Sequence, residues 1–425
     1  MTYREQTATS RERTANTAVN RDANLEERVL ARIEREAVAR LTEDLVRASS
    51  ENPGGTEDAA ARVFAAALTD AGAEVRLDDV EPGRPNLHAR VGADGGEGGV
   101  LFLGHSDVVP AGVGWSGAPF APRRDGDDLI GRGVTDMKGG LAAIAVALAA
   151  VHAEAPEVPI TVLCTVDEEA DARGIRHHIR HAPATRHALC VVAEPTSMTT
   201  ITGCRGAANF DIEIRGHSAH AGRPSDGASA ILAAADLLAV IEEDHARLAA
   251  RPHPVLGAAT WNVGMIEGGH GTSIVPDRCT VSIDRRTLPE EDPDVVLDAL
   301  LAQTRERVRE RGRPGADVIE VVGATAMTMP GFMIDPSEPV VRRIQDVVRQ
   351  VGGAGDTDVW TASCEGGFVC RHHGVDTVVL GPGDLPGQAH QPDERVSISE
   401  LVRAAEAFAL LALRAPGWKP TEGAS

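Results

Sequence analysis

The sequence predicts an α/β protein whose main sheet is interrupted by a small α+β unit. Three segments are apolar throughout, as strands covered on both faces of a sheet are: residues 100–104, 160–166 and 188–193. Stretches with helical periodicity alternate with them, which favours an α/β architecture. From residue 207 the pattern changes to strict alternation, typical of a strand with one exposed face. The α/β pattern then resumes with a helix over 339–351.

The first part of the chain reads as helices and strands in turn. An acidic helix over 25–49 ends at the breaker Glu51-Asn52-Pro53-Gly54-Gly55, and a second helix covers 57–71. The remaining predicted elements are a strand pair at 73–80 and 86–91, strands at 100–104 and 127–130, a buried helix within 129–151, and strands at 160–166 and 188–193.

The inserted part follows the order β-α-β-β-α-β, which is a complete small α+β unit. Its predicted elements are a strand at 207–215, a helix at 227–243, strands at 260–267 and 278–285, a helix at 293–311 and a strand at 317–322. After it come the helix at 339–351, a strand at 377–380 and a helix at 399–413. The predicted domains are therefore a tail at 1–24, a catalytic domain at 25–205 and 323–415, the inserted unit at 206–322, and a tail at 416–425.

Composition and charge restrict the partners. The chain has 425 residues and a net charge of −21, which argues against nucleic acid and anionic membranes. Its longest apolar stretch, residues 141–151, is too short to span a bilayer, and the first 24 residues lack the apolar core of a signal peptide. The six cysteines contain no CxxC pair, which suits reduced thiols. We therefore expect a cytoplasmic protein.

Metal-ligand residues follow the predicted strands. The candidates are His105 and Asp107, Asp136 after a glycine-rich turn, Glu168 and Glu169, Glu194, and His390. Ligands of α/β sheets collect beyond the carboxyl ends of the strands, which is where these residues fall. Taken singly, each has an ordinary explanation, such as a helix cap or a core histidine. Five such segments in succession indicate a metal site.

The donor set suits two cations better than one. Imidazoles and carboxylates bind Zn²⁺, Mn²⁺ or Co²⁺, and two histidines with three carboxylates exceed the needs of a single tetrahedral zinc. A pair of cations sharing one carboxylate can activate water and polarise a carbonyl group. We predict two divalent ions, Zn²⁺ in the first place and Co²⁺ or Mn²⁺ as alternatives.

Six motifs then connect the chain to a known family. They are G-H-S-D, G-R-G-V-T-D-M-K-G-G, D-E-E, A-E-P-T, G-H-S-A-H and G-P-G-x-x-x-x-Q-A-H-Q-P-D-E, in this order between residues 25 and 413. The set closely resembles the M20 metallopeptidase/deacylase family, in particular its acetylornithine deacetylase and succinyl-diaminopimelate desuccinylase branch. The resemblance implies a zinc-peptidase-like three-layer catalytic domain with an inserted ferredoxin-like lid and dimerisation domain.

The resemblance also implies a role for each metal-site residue. His105 and Glu194 would bind one ion, Glu169 and His390 the other, and Asp136 would bridge them. Asp107 would hydrogen-bond to His105 and fix its tautomer. Glu168 would act as the general base and pass a proton to the leaving amine. The family also tends to have a cis peptide bond after the bridging aspartate, here Asp136–Met137.

In the inserted unit the resemblance points to substrate contacts. Within Gly216–Gly222, one histidine is expected to reach the active site of the partner subunit and stabilise the oxyanion; the spacing favours His220, and His217 stays open. Arg286 matches the arginine that binds the substrate carboxylate, although Arg285 is its neighbour. Ser273 stands where relatives often carry Asn. Glu365 and Gly366 replace a more usual Gly-Thr-Asp-Ala type of loop and are expected to line the substrate pocket.

The function expected from these residues is hydrolysis of an N-acyl amino acid by a homodimeric di-metal amidohydrolase of the acetylornithine deacetylase type. The alternatives are a desuccinylase, a carboxypeptidase or aminoacylase of the same family, and a non-catalytic binding protein on the same scaffold. The substrate would be a small N-acyl amino acid or a short peptide. Other polar groups fit less well. His177, His178 and His181 read as a solvated helix face, His372 and His373 as part of a turn, and a serine-hydrolase site at Ser106 lacks a nucleophile elbow.

Overall fold

The computed structural model describes residues 23–92, 98–182 and 186–415. The chain forms two compact units: the first contains residues up to 202, 334–358 and those from 372 onwards, and the second contains 203–333 and 359–371. Apart from residues 23 and 24, which are helical, the tails predicted at 1–24 and 416–425 lie outside the described residues.

Sixteen strands and ten helices carry the labels used below. The strands are β1 (Glu74–Glu81), β2 (Arg84–Val91), β3 (Val100–His105), β4 (Arg123–Asp125), β5 (Asp128–Ile130), β6 (Ile160–Thr165), β7 (Leu189–Val192), β8 (Thr200–Cys204), β9 (Gly206–Arg215), β10 (Thr260–Gly268), β11 (Arg278–Thr287), β12 (Glu320–Met329), β13 (Phe332–Met333), β14 (Thr357–Trp360), β15 (Thr377–Val379) and β16 (Arg395–Ser397). The helices are α1 (Arg35–Arg47), α2 (Asp58–Asp70), α3 (Gly139–Glu154), α4 (Arg173–His181), α5 (Ala230–Ala249), α6 (Pro293–Glu310), α7 (Pro339–Gln350), α8 (Gly366–His373), α9 (Leu385–Gln388) and α10 (Ile398–Arg414).

The first unit is built on a mixed sheet whose strand order includes β1-β2-β6-β3-β7-β15-β8. Strands β6, β3, β7 and β15 run parallel to one another, so their carboxyl ends meet at one edge. Both β3 and β7 are buried along their whole length, which requires cover on both faces of the sheet. This confirms the predicted α/β class. Strand β8 is an element that the sequence analysis missed.

Helix α3 lies in the core of this unit. It is apolar on almost every side, and it packs against α10, α1 and α2. The segment Val134–Glu154 is long and apolar enough to cross a membrane, but 89% of its apolar window is buried inside the protein, as in a core helix. A Cβ at Gly140 would collide with the carbonyl oxygen of Ala193, so only glycine lets the helix approach the end of β7 this closely.

The second unit confirms the predicted β-α-β-β-α-β order. Its four strands form an antiparallel sheet in the order β10-β11-β9-β12, with α5 and α6 packed against it, which is the ferredoxin-like arrangement. Helix α5 begins at Ala230 rather than at residue 227 because Ser229 caps it by accepting a hydrogen bond from the Leu232 N–H at 3.3 Å. Strand β12 extends to Met329, seven residues beyond the predicted end, because it pairs with β9 along its full length.

The predicted continuous helix at 25–49 was wrong. A helical stretch covers 23–30, a turn follows, and α1 begins at Arg35. Glu34 has extended backbone angles, which interrupt the helical hydrogen bonds there. The apolar period continues across the turn, so Val29, Val38 and Leu45 are all fully buried although they belong to two helices. Periodicity alone does not reveal such a break.

The interpretation of the histidine-rich segment as a solvated face was also wrong for His178. Its ring lies 5.2 Å from that of His88 and 5.7 Å from that of His373, measured between centroids. Burial lowers the pKa of His178 to about 3 and that of His88 to about 4. Among the described residues, the two groups placed to hold a metal ion lie elsewhere, at the strand ends.

Candidate metal centre and active site

The carboxyl ends of the parallel strands bring the predicted ligands together within the first unit. His105 is the last residue of β3, Glu168 and Glu169 follow β6, Glu194 follows β7, His390 lies in the loop after β15, and Asp136 lies in the turn that leads into α3. That turn contains Gly133 with a φ of 85°, a backbone conformation that glycine adopts readily. The Asp136–Met137 peptide bond is cis, as the family resemblance implies.

Asp136 lies between the two histidines. Its Oδ1 is 3.2 Å from His105 Nε2, and its Oδ2 is 3.4 Å from His390 Nε2. His105 Nε2 is also 3.4 Å from Glu194 Oε1, while His390 Nε2 is 3.2 Å from Glu169 Oε2. Each imidazole therefore faces one oxygen of Asp136 and one oxygen of a further glutamate, which gives two similar half-sites around a shared carboxylate.

Two overlapping sets of donor atoms lie close enough to hold cations. One ligand atom each from His105, Glu168 and Glu194 lies within 4.8 Å of the others, and the same is true of His105, Asp136 and Glu169. Asp136 and Glu194 are only 6% exposed, and His105 is 1% exposed. Glu168 is half-buried and closer to the Glu194 side of the cluster.

The charges of this cluster are poorly balanced without a cation. Burial and the charge of Asp136 raise the pKa values of Glu194 and Glu169. Contacts with His105 and His390 overcome the effect of burial and lower the pKa of Asp136. Hydrogen bonds to Asp136 and Glu169 raise the pKa of His390 to about 10, and despite burial the neighbouring carboxylates raise that of His105.

These residues fit a divalent metal pair. Three buried carboxylates and two imidazoles are hard and borderline donors of the type that zinc, cobalt and manganese accept. Cations placed between these nitrogen and oxygen atoms would reduce the repulsion among the carboxylates.

Asp107 connects His105 to the segment that carries the glutamates. Its carboxylate accepts hydrogen bonds from the backbone N–H groups of Glu168 at 3.2 Å and Glu169 at 3.1 Å. Its Oδ1 lies 3.5 Å from His105 Nδ1, and its backbone oxygen is closer to that nitrogen, at 3.0 Å. Asp107 thus contacts the imidazole and also orders the turn that presents Glu168 and Glu169.

Asn52 is a contributor that the sequence analysis missed. Its Nδ2 donates to Asp107 at 2.8 Å and to Asp167 at 3.0 Å. Asp167 has a φ of 65°, which bends the chain sharply after β6. The sequence signal was the Glu51-Asn52-Pro53-Gly54-Gly55 stretch, interpreted only as a helix breaker, although an asparagine amide is well suited to join two carboxylates.

The other predicted site residues belong to the second unit. His220 is exposed, and its Nδ1 accepts a hydrogen bond from the Gly222 N–H at 3.0 Å. This places the ring proton on Nε2, the nitrogen that remains available as a donor. Ser273 is also exposed. It lies near His220, because its backbone carbonyl accepts a hydrogen bond from the Ala221 N–H at 3.0 Å. His217 is exposed and pairs through its backbone with Ala228.

The adjacent arginines Arg285 and Arg286 have different environments. Arg285 is 1% exposed; it forms an ion pair with Glu291 at 2.5 Å and lies over the Trp261 ring. The Arg286 side chain is 35% exposed and contacts Asp284 at 3.0 Å. Arg285 is thus committed to packing, and Arg286 is the guanidinium accessible to a ligand.

The Glu365–Gly366 loop also belongs to the second unit. Glu365 is buried, and Gly366 begins α8.

The fold and this cluster define the class: an α/β metal-binding hydrolase with a small additional domain. The comparisons with known proteins agree, because residues 101–414 match the model of peptidase family M20/M25/M40. The chain therefore belongs to this family, whose members hydrolyse amide and peptide bonds.

Three known proteins illustrate what this chain is similar to. An acetylornithine deacetylase from Aliivibrio fischeri is 30% identical over 339 residues, covering 78% of this chain and 84% of the relative. The solved structure of an M20 family metallo-carboxypeptidase from Sulfolobus solfataricus superposes with a TM-score of 0.69 at 18% identity, covering 90% of this chain and 99% of that one. A dinuclear metal-binding M20 peptidase from Bacillus subtilis gives a TM-score of 0.64 at 15% identity, covering 89% and 97%.

Proposed function

We propose that the protein is a di-metal deacylase that cleaves the amide bond of an N-acyl amino acid, as acetylornithine deacetylase does. This proposal depends most on the position of Asp136 between two histidines. Its two carboxylate oxygens lie 3.2 Å from His105 Nε2 and 3.4 Å from His390 Nε2. The 30% identity to acetylornithine deacetylases over most of the chain supports the choice of reaction.

In this proposal His105 and Glu194 would hold one divalent ion, Glu169 and His390 would hold the other, and Asp136 would contribute to both. When bound, the two cations would polarise the amide carbonyl and favour deprotonation of water. Zn²⁺ is our first choice, because the donors combine imidazole and carboxylate, with Co²⁺ or Mn²⁺ as alternatives.

Glu168 is the proposed general base and acid. Its carboxylate is half-buried beside the ligand cluster, and its backbone is fixed by the hydrogen bond to Asp107. It takes a proton from the attacking water and delivers it to the leaving amine nitrogen, which a carboxylate in this position can do in both directions. Asp107 keeps His105 and the Glu168 turn in place.

The second unit supplies the proposed substrate contacts. Arg286 binds the substrate carboxylate, since its guanidinium is accessible while that of Arg285 is enclosed. His220 would donate from Nε2 to the oxyanion in the active site of the partner subunit, a role that its hydrogen bond from Gly222 supports. Ser273, Glu365 and Gly366 are the proposed determinants of substrate choice.

Succinyl-diaminopimelate desuccinylation is the second candidate, and a specific observation favours it. Arg205 is half-buried; burial, and then the positive charge of Arg286, lower its pKa. The additional carboxylates of a succinylated substrate would offset the positive charges of these two guanidinium groups.

A substrate panel tests the proposal. The metal-loaded protein should hydrolyse N-acetylornithine faster than N-succinyl-diaminopimelate, N-formyl amino acids or dipeptides, in an assay of released amine. Activity should vanish with a chelator and return with Zn²⁺ or Co²⁺. Preference for the succinyl substrate would replace the first candidate with the second. Metal-dependent ligand binding without turnover of any of these amides would contradict both.

We further propose that the second unit forms a homodimer with a second copy of this chain. Strand β10 is an edge of its sheet, and Met265 and Ile266 on it are 68% and 54% exposed. Ile231 and Leu232, at the start of the neighbouring α5, are 42% and 52% exposed. An unpaired strand edge with exposed apolar side chains is suited to pairing with an identical edge.

Sedimentation equilibrium measures this directly. The wild-type protein should be a dimer, and Met265→Arg with Ile266→Asp should give a folded monomer. Val113→Asp is the control, because Val113 is 92% exposed and lies in the first unit. A wild-type protein that stays monomeric at micromolar concentration would exclude the proposed dimer.

A further inference from the structure

A buried ion pair lies behind the proposed metal ligands. Arg132 Nη1 and Glu394 Oε2 are 2.6 Å apart, and the two side chains are only 2% and 1% exposed. Neither residue is among the ligands or the proposed acid–base groups. A buried ion pair is weak evidence for a stabilising role, because desolvation offsets most of its Coulomb energy. Its other contacts therefore indicate its role better than the ion pair itself.

Glu394 organises the turn that presents Asp136. Its Oε1 accepts hydrogen bonds from the backbone N–H groups of Thr135 at 2.8 Å and Asp136 at 3.1 Å. Its Oε2 accepts from the Gly133 N–H at 3.0 Å. One carboxylate thus satisfies three backbone donors in a turn that has no regular helical angles at Asp136. The direction of the Asp136 side chain depends on this turn.

Arg132 contacts the loop that presents His390. Its guanidinium donates to the carbonyl oxygens of Gln391 at 3.4 Å and His390 at 3.5 Å, and to that of Ala111 at 3.2 Å. His390 has a φ of 65°, an uncommon backbone conformation for a residue other than glycine. Surrounding contacts must hold such a conformation, and the bonds from Arg132 are among them.

We propose that the Arg132–Glu394 pair is a positioning device that sets the affinity of the protein for its two metal ions. Each member holds one metal-binding loop through backbone hydrogen bonds, and their mutual ion pair fixes the separation of the loops. Asp136 and His390 are thereby placed on either side of one cation position before any cation arrives. This inference rests on the proposed function, which supplies the metal ligands themselves.

The test compares metal affinity in Glu394→Gln with that of a matched control. The amide keeps the shape of the side chain, but it loses the charge and presents an NH₂ group towards backbone N–H donors. Replacing a residue that positions metal ligands through hydrogen bonds typically lowers metal affinity by about 10–100-fold. We expect a loss in that range for at least one of the two ions, measured by titrating metal-free protein against a competing chelator. The control is Asp393→Asn, because the carboxylate of the neighbouring Asp393 is half-buried and pairs with Arg123 at 2.6 Å instead of with the Asp136 turn.

A second readout separates positioning from simple stabilisation. The visible absorption of the Co²⁺-loaded protein reports the geometry of the ligands, and it should change in Glu394→Gln and stay unchanged in Asp393→Asn. If Glu394→Gln does not fold, Glu394→Asp and Arg132→Lys keep both charges and should still weaken metal binding. If the folded variants have the metal affinity and the Co²⁺ spectrum of the wild-type protein, this inference is wrong, while the proposed function is unaffected. A wild-type protein that binds no metal would overturn the proposed function, and this inference with it.

Discussion

Replacing Glu168 by glutamine should lower kcat by about 100- to 10,000-fold, the range that a positioned acid–base group contributes, while both metal ions stay bound. The amide cannot accept a proton from water at neutral pH, yet it preserves the size of the side chain. Its backbone hydrogen bond to Asp107 is unaffected, so the Glu168–Glu169 turn keeps its shape. Steady-state kinetics together with elemental analysis of the purified protein make the comparison.

Asp171→Asn is the matched control, because this carboxylate lies in the same segment and its side chain is 49% exposed. It should keep wild-type kcat. Full activity in Glu168→Gln would refute the assignment of the base. Loss of a metal ion in that variant would instead show that Glu168 is a metal ligand. The close grouping of Glu168 with His105 and Glu194 is compatible with that role.

His390→Ala should reduce the metal content from two ions to one and lower kcat by about 100-fold or more, since one of the two cations that act together would be missing. His390 faces Glu169 and Asp136, and it belongs to one half-site only. Its side chain is 50% exposed, so truncation leaves no buried cavity and the protein should remain folded. Elemental analysis after dialysis against a metal-free buffer gives the stoichiometry.

The control for this variant is His181→Ala, which removes an exposed histidine from α4. It should retain two ions and wild-type kcat. Two retained ions in His390→Ala would show that His390 is not a ligand. The proposal that Glu169 and His390 hold one ion together would then be wrong.

The architecture of the first unit and the grouping of its polar residues were predictable because both depend on strong local signals. Fully apolar strands indicate a sheet that is covered on both faces. Residues that follow the carboxyl ends of its parallel strands lie close together regardless of the loop conformations. The strand ends were therefore enough to group His105, Glu169 and Glu194, and Asp136 was added from its glycine-rich turn. The roles given to them remain proposals.

The supporting residues could not be found in this way, since their function depends on partners distant in sequence. Asn52 reaches Asp107 and Asp167, and Glu394 reaches backbone groups near Asp136. The half-buried position of His178 likewise results from packing against His88 and His373. Glu394 ends the G-P-G-x-x-x-x-Q-A-H-Q-P-D-E motif and Asn52 lies in the helix breaker, but the local pattern does not show which groups either side chain contacts.

The position of β15 in the sheet has a consequence for biosynthesis. Val379 on β15 pairs with Val192 on β7 and with Ile201 on β8, so a strand made late enters between two strands made much earlier. While the ribosome is still translating the intervening second unit, the backbone edges of β7 and β8 have no partner between them. Such edges invite aggregation, and their late closure raises the contact order and slows folding. A nascent chain that stops before residue 377 also lacks His390, so a complete pair of half-sites can form only when synthesis is nearly finished.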